Sequence, residues 1–142
     1  VCGESYKNGV KIFIDSEDSF IQDPIDELTY QLMEKYNKED TIVWNTYQLY
    51  RVGMLDNLEE ALQRAKDRKY SFGAKLVRGA YMEKENQRAL DMGYPTPIQP
   101  NKAATDKDFD ASIAFCLDHY KNLSLFTIIL QIKKYFISLF LP

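Results

Sequence analysis

Short apolar runs alternate with helical patterns along this chain, and that alternation constrains its fold more than any other feature. The runs cover residues 10–15, 41–46 and 74–79, and each is rich in branched side chains and bounded by polar or turn residues. Such runs are typical of strands that are buried on both faces. Helices are predicted over residues 23–36, 57–69, 83–92 and 106–120. Strands and helices in this order predict βα units and a parallel sheet.

Two architectures use repeated βα units: the doubly wound sheet and the (β/α)₈ barrel. No glycine-rich turn follows any of the apolar runs, so the dinucleotide-binding fingerprint of the doubly wound sheet is missing. A complete barrel normally takes about 250 residues, and the chain has 142. We therefore predict an α/β fold that forms a partial (β/α)₈ TIM-type barrel. Residues 1–122 are assigned to the barrel domain.

Residues 123–142 differ in composition from the rest and are interpreted as a divergent apolar tail. Lys133 and Lys134 split this tail into two apolar runs, each well short of the roughly 20 residues that span a bilayer. A buried strand followed by a helix is predicted here. Adsorption of the tail to a membrane surface is the alternative.

Charge and cysteine content exclude several function classes. The net charge is −3 and the pI is about 5.2, and no cluster of basic residues exceeds a pair, which argues against a nucleic-acid partner. Cys2, Cys116 and His119 are too few and too far apart for a zinc site or a disulfide framework, so a reducing compartment and no metal are expected. No targeting segment is visible.

Polar residues stand where each predicted strand ends, which is where barrel enzymes carry their chemistry. Asp15 follows the first strand and Asn45 ends the second, while Lys75 alternates with Val77 and Gly79 on one face of the third. Lys75 is therefore predicted to point into the barrel, where a charge needs a partner or a ligand. Two plainer alternatives are a turn-capping role for Asp15 and an internal Asp15–Lys75 ion pair that binds no substrate.

The segment KLVRGAY at residues 75–81, followed by Glu85 and by GYP at 93–95, resembles the central signature of the proline dehydrogenase family. IDSE at 14–17 and NTYQ at 45–48 resemble the two preceding strand ends of that family. The motifs occur in the family's order, and the similarity runs from about residue 10 to residue 121.

The resemblance implies a flavoprotein that uses FAD to oxidise L-proline to Δ¹-pyrroline-5-carboxylate, the first step of proline catabolism. Electrons would pass to a membrane quinone, so peripheral membrane association is expected. The implied location is the cytoplasmic face of the inner membrane in a bacterium, or the mitochondrial matrix and inner membrane in a eukaryote. The family residues that grip the proline carboxylate have no counterpart here, so the chain is expected to be an inactive fragment on its own.

Residue roles carry over from the same resemblance. Asp15 and Lys75 match the catalytic pair, with Asp15 organising basic residues and Lys75 lying close to flavin N5. Tyr81 matches the tyrosine that packs against the proline ring. Many relatives have arginine at Lys75, so a point charge replaces a forked donor. The positions that match FAD contacts are Ser16, Asn45, Val77, Arg78, Gly79, Ala80 and, beyond the proline-rich loop, Lys102.

Two other function classes compete with this interpretation. One is a non-catalytic half-barrel that pairs with another chain. The other is a different barrel enzyme in which Lys75 forms a Schiff base.

Overall fold

Four strands and five α-helices form the part of the chain described by the structure, a computed structural model that covers residues 1–120 and the backbone of 123–128. A single-turn 3₁₀ helix at Ser19–Ile21 also occurs after the first strand. In chain order the elements are α1 Cys2–Asn8, β1 Ile12–Ile14, α2 Gln22–Tyr36, β2 Val43–Gln48, α3 Met54–Arg68, β3 Phe72–Val77, α4 Met82–Met92, α5 Lys102–Asp118 and β4 Leu123–Ile128.

The four strands form one parallel sheet in the order β1-β2-β3-β4. Each strand therefore pairs with the next one along the chain, as successive βα units in a barrel wall do. Thr46 pairs with Lys75, and Ile14 pairs with Asn45. Their carboxyl ends consequently lie along the same edge of the sheet.

Each predicted strand is present, but its bounds differ by about two residues from the apolar run. β2 continues to Gln48 because Gln48 still pairs with Val77 of β3, and β3 begins at Phe72 because Phe72 pairs with Leu123 of β4. β1 is paired over only three residues, although the apolar run is longer. Apolar runs record burial, whereas strand bounds record backbone pairing, and the two need not coincide. β4 supplies the strand predicted at the start of the tail, while the helix predicted after it lies outside the described residues.

Ile25, Leu28, Leu32 and Tyr36 recur at helical spacing and predict one apolar stripe on α2. Leu32 and Tyr36 do pack against the core, but the prediction is wrong at Leu28. Leu28, which belongs to that stripe, is 56% exposed, whereas Asp26 and Thr29 are buried. The helix turns this partly polar face inward because β2 presents polar atoms to it, and Asn45 donates to Asp26 across the contact. A buried polar group is tolerated when it has such a partner.

The predicted start of the last helix was too late. α5 begins at Lys102 because the side chain of Asn101 accepts a hydrogen bond from the backbone amide of Ala104 at 2.9 Å. This is an N-cap of the ordinary kind. Helical spacing predicts that Phe109, Ile113, Cys116, Leu117 and Tyr120 face inward. Phe109 and Cys116 are buried, but Leu117 and Tyr120 are exposed.

The hydrophobic core lies between the sheet and the helices that cover its outer face. α2, α3 and α5 supply its helical side, and alternate residues of β2 and β3 supply its sheet side. Fully buried members include Met33, Tyr47, Leu58, Leu62, Phe72, Leu76 and Phe109.

Asn37 joins the amino ends of the two central strands. Its side-chain amide donates to the carbonyls of Val43 at 2.8 Å and Ser71 at 2.9 Å. Its side-chain oxygen accepts from the amides of Ile42 at 3.0 Å and Val43 at 2.8 Å. One fully buried side chain thus satisfies four backbone groups that precede or begin the strands.

Gly73 allows β2 and β3 to approach closely beneath Trp44. A Cβ at this position would lie 2.8 Å from Thr41 Cγ2, 2.8 Å from the Val43 carbonyl oxygen and 3.0 Å from Trp44 Cδ2. Gly73 precedes Lys75 by two residues, so both lie on the face opposite the helices. Among the described residues, no helix has the length and apolarity needed to cross a membrane.

Candidate active site at the carboxyl ends of the strands

Lys75, Asp15 and Thr46 form a hydrogen-bonded group on the inner face of the sheet. The Lys75 ammonium donates to Asp15 Oδ1 at 2.6 Å, and the Thr46 hydroxyl donates to the same oxygen. Thr46 and Lys75 are register partners, so the pairing of β2 and β3 brings their side chains together. Asp15, the residue that follows β1, contacts both side chains from the adjacent strand end.

Burial is unequal within this group. Lys75 is only 8% exposed, whereas the Asp15 side chain is 53% exposed. Burial acts to raise the pKa of Asp15, but the hydrogen bonds from Lys75 and Thr46 and the charge of Lys75 outweigh it and hold that pKa below its usual value. The Asp15 carboxylate therefore stays ionised at neutral pH. The predicted inward lysine and its acidic partner are present, at a solvent-facing mouth.

Asn45 does not join this group. Strand alternation turns its side chain toward the helices, where its amide donates to Asp26 Oδ1 at 2.8 Å. The neighbouring residue Thr46 points to the inner face instead. A contact between the Asn45 side chain and a ligand in the barrel mouth would require this buried hydrogen bond to break.

Ser16 is buried directly after Asp15, and its backbone is tied to β2. The side-chain amide of Gln48 donates to the Ser16 carbonyl oxygen at 2.6 Å. Gln48 and Thr46 were not among the predicted site residues. Their signal was available, because Thr46 and Gln48 follow Asn45 by one and three residues in the NTYQ motif and so alternate onto the opposite face of β2.

Arg78 and Lys102 meet at one carboxylate of α5. An Arg78 guanidinium nitrogen lies 3.2 Å from Asp106 Oδ1, and the Lys102 ammonium contacts Asp106 Oδ2. The Arg78 guanidinium also stacks on Phe109, with its carbon 4.4 Å from the ring centroid. Two residues that were predicted separately thus form one cluster, and Asp106, which no motif indicated, holds them together.

The segment after β3 is open to solvent. Gly79 is exposed, and a Cβ there would meet only Met82 Sδ, at 3.7 Å. Val77 and Ala80 are half-buried on either side. Tyr81 is 42% exposed and has a φ of 41°, an uncommon value for a non-glycine residue, at the turn that starts α4.

Glu85 anchors α4 to the loop after β1. It is buried, and its carboxylate accepts from the backbone amide of Ser19 at 2.9 Å and from the Ser19 hydroxyl. An open cleft of about 450 Å³ lies beside this contact and is distinct from the Lys75 group. Its lining residues are Asp18, Phe20, Lys84, Gln87, Arg88, Asp91 and Met92.

Comparison with solved structures supports the barrel-type fold. The chain superposes with a TM-score of 0.81 on proline utilization A from Bdellovibrio bacteriovorus inactivated by N-propargylglycine, at 22% identity. The match covers 87% of this chain and 13% of that one. The predicted α/β, partial-barrel fold is confirmed.

Sequence comparison identifies the family. The chain is 43% identical over 112 residues to mitochondrial proline dehydrogenase 1 of Caenorhabditis elegans and 41% identical over 112 residues to that of Drosophila melanogaster. Each match covers 79% of this chain but only 18% and 16% of the two relatives. The sequence model of the proline dehydrogenase family matches residues 1–128, which includes β4. The boundary predicted at residue 122 stays a prediction. The chain belongs to the proline dehydrogenase family.

Proposed function

We propose that this chain carries the flavin-facing wall of an enzyme that oxidises L-proline to Δ¹-pyrroline-5-carboxylate with FAD. The observation that carries the proposal is the buried Lys75 ammonium, held at the mouth of the strands by Asp15 and Thr46. Family membership supports the reaction class. The chain spans less than a fifth of the length of the C. elegans and D. melanogaster relatives, so the activity is proposed for the protein to which these residues contribute.

The charges present suit a dinucleotide with a planar ring at one end and phosphates in the middle. Lys75 offers a single cation on the inner face, and Arg78 and Lys102 offer two more at the start of α5. Arg78 Nε is buried and has no hydrogen-bond acceptor among the described residues, so its N–H is left to donate to a phosphate oxygen. The exposed backbone at Gly79 leaves room for close approach of a flat ring.

FAD, when bound, supplies the hydride-accepting chemistry. Lys75 acts electrostatically, because a fixed and largely buried cation stabilises negative charge that develops nearby more strongly than a fully hydrated cation does. Asp15 and Thr46 hold the lysine so that its position is set before substrate arrives. Tyr81, exposed at the turn that starts α4, offers an aromatic face to the proline ring.

Electron transfer to a membrane quinone is proposed from the resemblance of the motifs. Relatives named as mitochondrial support a mitochondrial location if the source is a eukaryote. The cytoplasmic face of the inner membrane is the corresponding proposal for a bacterium.

The cofactor assignment is tested by titrating FAD into the purified chain and following the quenching of flavin fluorescence. Lys75→Met is expected to weaken FAD binding by roughly 10- to 150-fold, the equivalent of one charge-assisted hydrogen bond of about 1.5–3 kcal/mol. Lys75→Arg keeps the charge and is expected to bind within a few-fold of the parent.

Lys7→Met is the matched control, since Lys7 is an exposed lysine on α1 that pairs only with its neighbour Glu4. It is expected to leave FAD binding unchanged. Equal binding by Lys75→Met and the parent would overturn the assignment. Absence of binding by the parent would favour a non-catalytic half-barrel.

The Schiff-base alternative finds less support. A nucleophilic lysine needs its nitrogen accessible to a carbonyl compound, whereas Lys75 is only 8% exposed and its Nζ lies 2.6 Å from Asp15 Oδ1. Covalent trapping of a carbonyl compound at Lys75 by borohydride would support that alternative.

A further inference from the structure

The side chain of Gln48 continues the contact between β2 and the chain after β1, just beyond the point where the backbone pairing of β1 and β2 ends. That pairing ends with Ile14 and Asn45, one residue before Asp15. Two residues beyond Ile14, the backbone carbonyl of Ser16 accepts a 2.6 Å hydrogen bond from Gln48 Nε2. Gln48 is 3% exposed, so this contact is shielded from water. The turn that presents Asp15 is therefore held from β2 by a side chain.

Gln48 is itself held at its other end. Arg51 Nη1 lies 3.4 Å from Gln48 Oε1 and donates to Gln22 Oε1 at 3.0 Å. Gln22 Nε2 in turn donates to Asp26 Oδ1 at 2.7 Å, the same oxygen that accepts from Asn45. A polar network thus runs from the helix-facing side of the sheet to the turn after β1.

The directions of these bonds leave Gln48 little freedom. A primary amide has donors on nitrogen and an acceptor on oxygen. Gln48 Nε2 donates to the Ser16 carbonyl oxygen, while Gln48 Oε1 faces the Arg51 guanidinium. Flipping the amide would place its oxygen against the Ser16 carbonyl oxygen and its nitrogen against a guanidinium. The network fixes one orientation, as supporting residues of preorganised sites do.

We propose that Gln48 is a positioning residue that fixes the turn at Ser16 and thereby aims the Asp15 carboxylate at Lys75. Gln48 makes no hydrogen bond to Asp15 or Lys75 among the described contacts, so its effect passes through the backbone between Asp15 and Ser16. Its significance for flavin chemistry rests on the function proposed above. Asn45 belongs to the same network, through Asp26, and supports the turn from the other side of the sheet.

The test measures Asp15 directly and needs no cofactor. The carboxyl ¹³C shift of Asp15 is followed against pH in the full chain by NMR, and the parent is expected to titrate below the ordinary pKa of an aspartate. Gln48→Met, which keeps the length but removes both polar ends, is expected to shift that pKa upward. Gln48→Glu keeps the acceptor for Arg51, loses the donor to Ser16 and is expected to shift the pKa in the same direction.

Gln63→Met is the matched control, because Gln63 is exposed on α3 and bonds only to Asp67 nearby. It is expected to leave the Asp15 titration unchanged. If Gln48→Met unfolds the chain, Arg51→Met frees the other end of the same amide without removing the donor to Ser16. An upward shift of the Asp15 pKa, smaller than that expected for Gln48→Met, is predicted for it.

An unchanged Asp15 titration in folded Gln48→Met and Gln48→Glu overturns the proposal. A lower unfolding midpoint with an unchanged titration would mean that Gln48 only supports the fold, and overturns it as well. Because no flavin is added, failure of the chain to bind FAD leaves this measurement intact. FAD binding with an unchanged titration would refute the positioning role alone.

Discussion

Gly73→Ala is expected to destabilise the fold although it adds only one methyl group. The added Cβ would lie 2.8 Å from both Thr41 Cγ2 and the Val43 carbonyl oxygen, and 3.0 Å from Trp44 Cδ2. The threonine methyl can rotate away, but the carbonyl belongs to the backbone of β2. Relief therefore requires β2 and β3 to move apart, in the middle of the sheet.

The magnitude follows from two opposing effects. Overpacking of a well-packed site costs typically about 1–3 kcal/mol, and a contact with backbone belongs at the upper end of that range. Replacing glycine stiffens the unfolded chain and returns roughly 0.4–1 kcal/mol. The expected net loss is about 2 kcal/mol, which shifts the unfolding equilibrium roughly 30-fold.

Urea denaturation followed by tryptophan fluorescence suits this test. Trp44 is the only tryptophan in the sequence, is buried, and is one of the residues the new methyl group would contact. The denaturation midpoint is expected to fall while its slope on urea stays constant, as it does when a mutation changes stability alone.

Gly79→Ala is the matched control six residues further on. Its Cβ would meet only Met82 Sδ, at an ordinary 3.7 Å. Its midpoint is expected to equal or slightly exceed that of the parent, while its affinity for FAD falls because the backbone there loses its open approach. A Gly73→Ala midpoint at or above the parent's would refute the reasoning.

Three other substitutions test Asn37, which joins the amino ends of β2 and β3, the buried Asp26, and Tyr81, which is proposed to contact proline. Asn37→Ala removes four hydrogen bonds and is expected to cost at least about 3 kcal/mol, measured by the same denaturation; a loss below 1 kcal/mol would contradict it. Burial raises the pKa of Asp26, so the folded state loses stability as pH rises through that pKa. Asp26→Asn is expected to be more stable than the parent at pH 7, with the difference vanishing on acidification; a difference independent of pH would be the contrary result. In an active enzyme with these residues, Tyr81→Phe is expected to raise the KM for proline while FAD stays bound, and loss of flavin absorbance would instead assign Tyr81 to the cofactor.

The parallel sheet and the Lys75–Asp15 contact could be predicted because their signals are local. A short apolar run indicates a buried strand, and residues that end adjacent parallel strands must lie near one another. Lys75 stands in a strand where an unpaired charge would be costly, which indicated a partner before any contact was known.

The side of the sheet to which Asn45 points could not be predicted in the same way. When a strand is buried on both faces, its polarity pattern does not reveal which residues face the helices. Assigning the faces the other way round places Thr46 toward the helices and Asn45 on the inner face of the sheet. The polar face of α2 was missed for the same reason, since Asp26 and Thr29 are buried only because β2 offers them partners.

Asn37 binds the amino ends of β2 and β3, whereas Lys75 lies toward the carboxyl end of β3. Local opening is therefore expected to differ between the two ends of the sheet. Loss of the Asn37 side-chain contacts exposes four backbone groups together, so the amide hydrogens of Ile42 and Val43 are expected to exchange in one cooperative event. At the other end of the strands, the Ser16 carbonyl accepts from one side chain, Gln48, and this contact can break without that event. Local movement at the mouth therefore does not require the end of the sheet anchored by Asn37 to open.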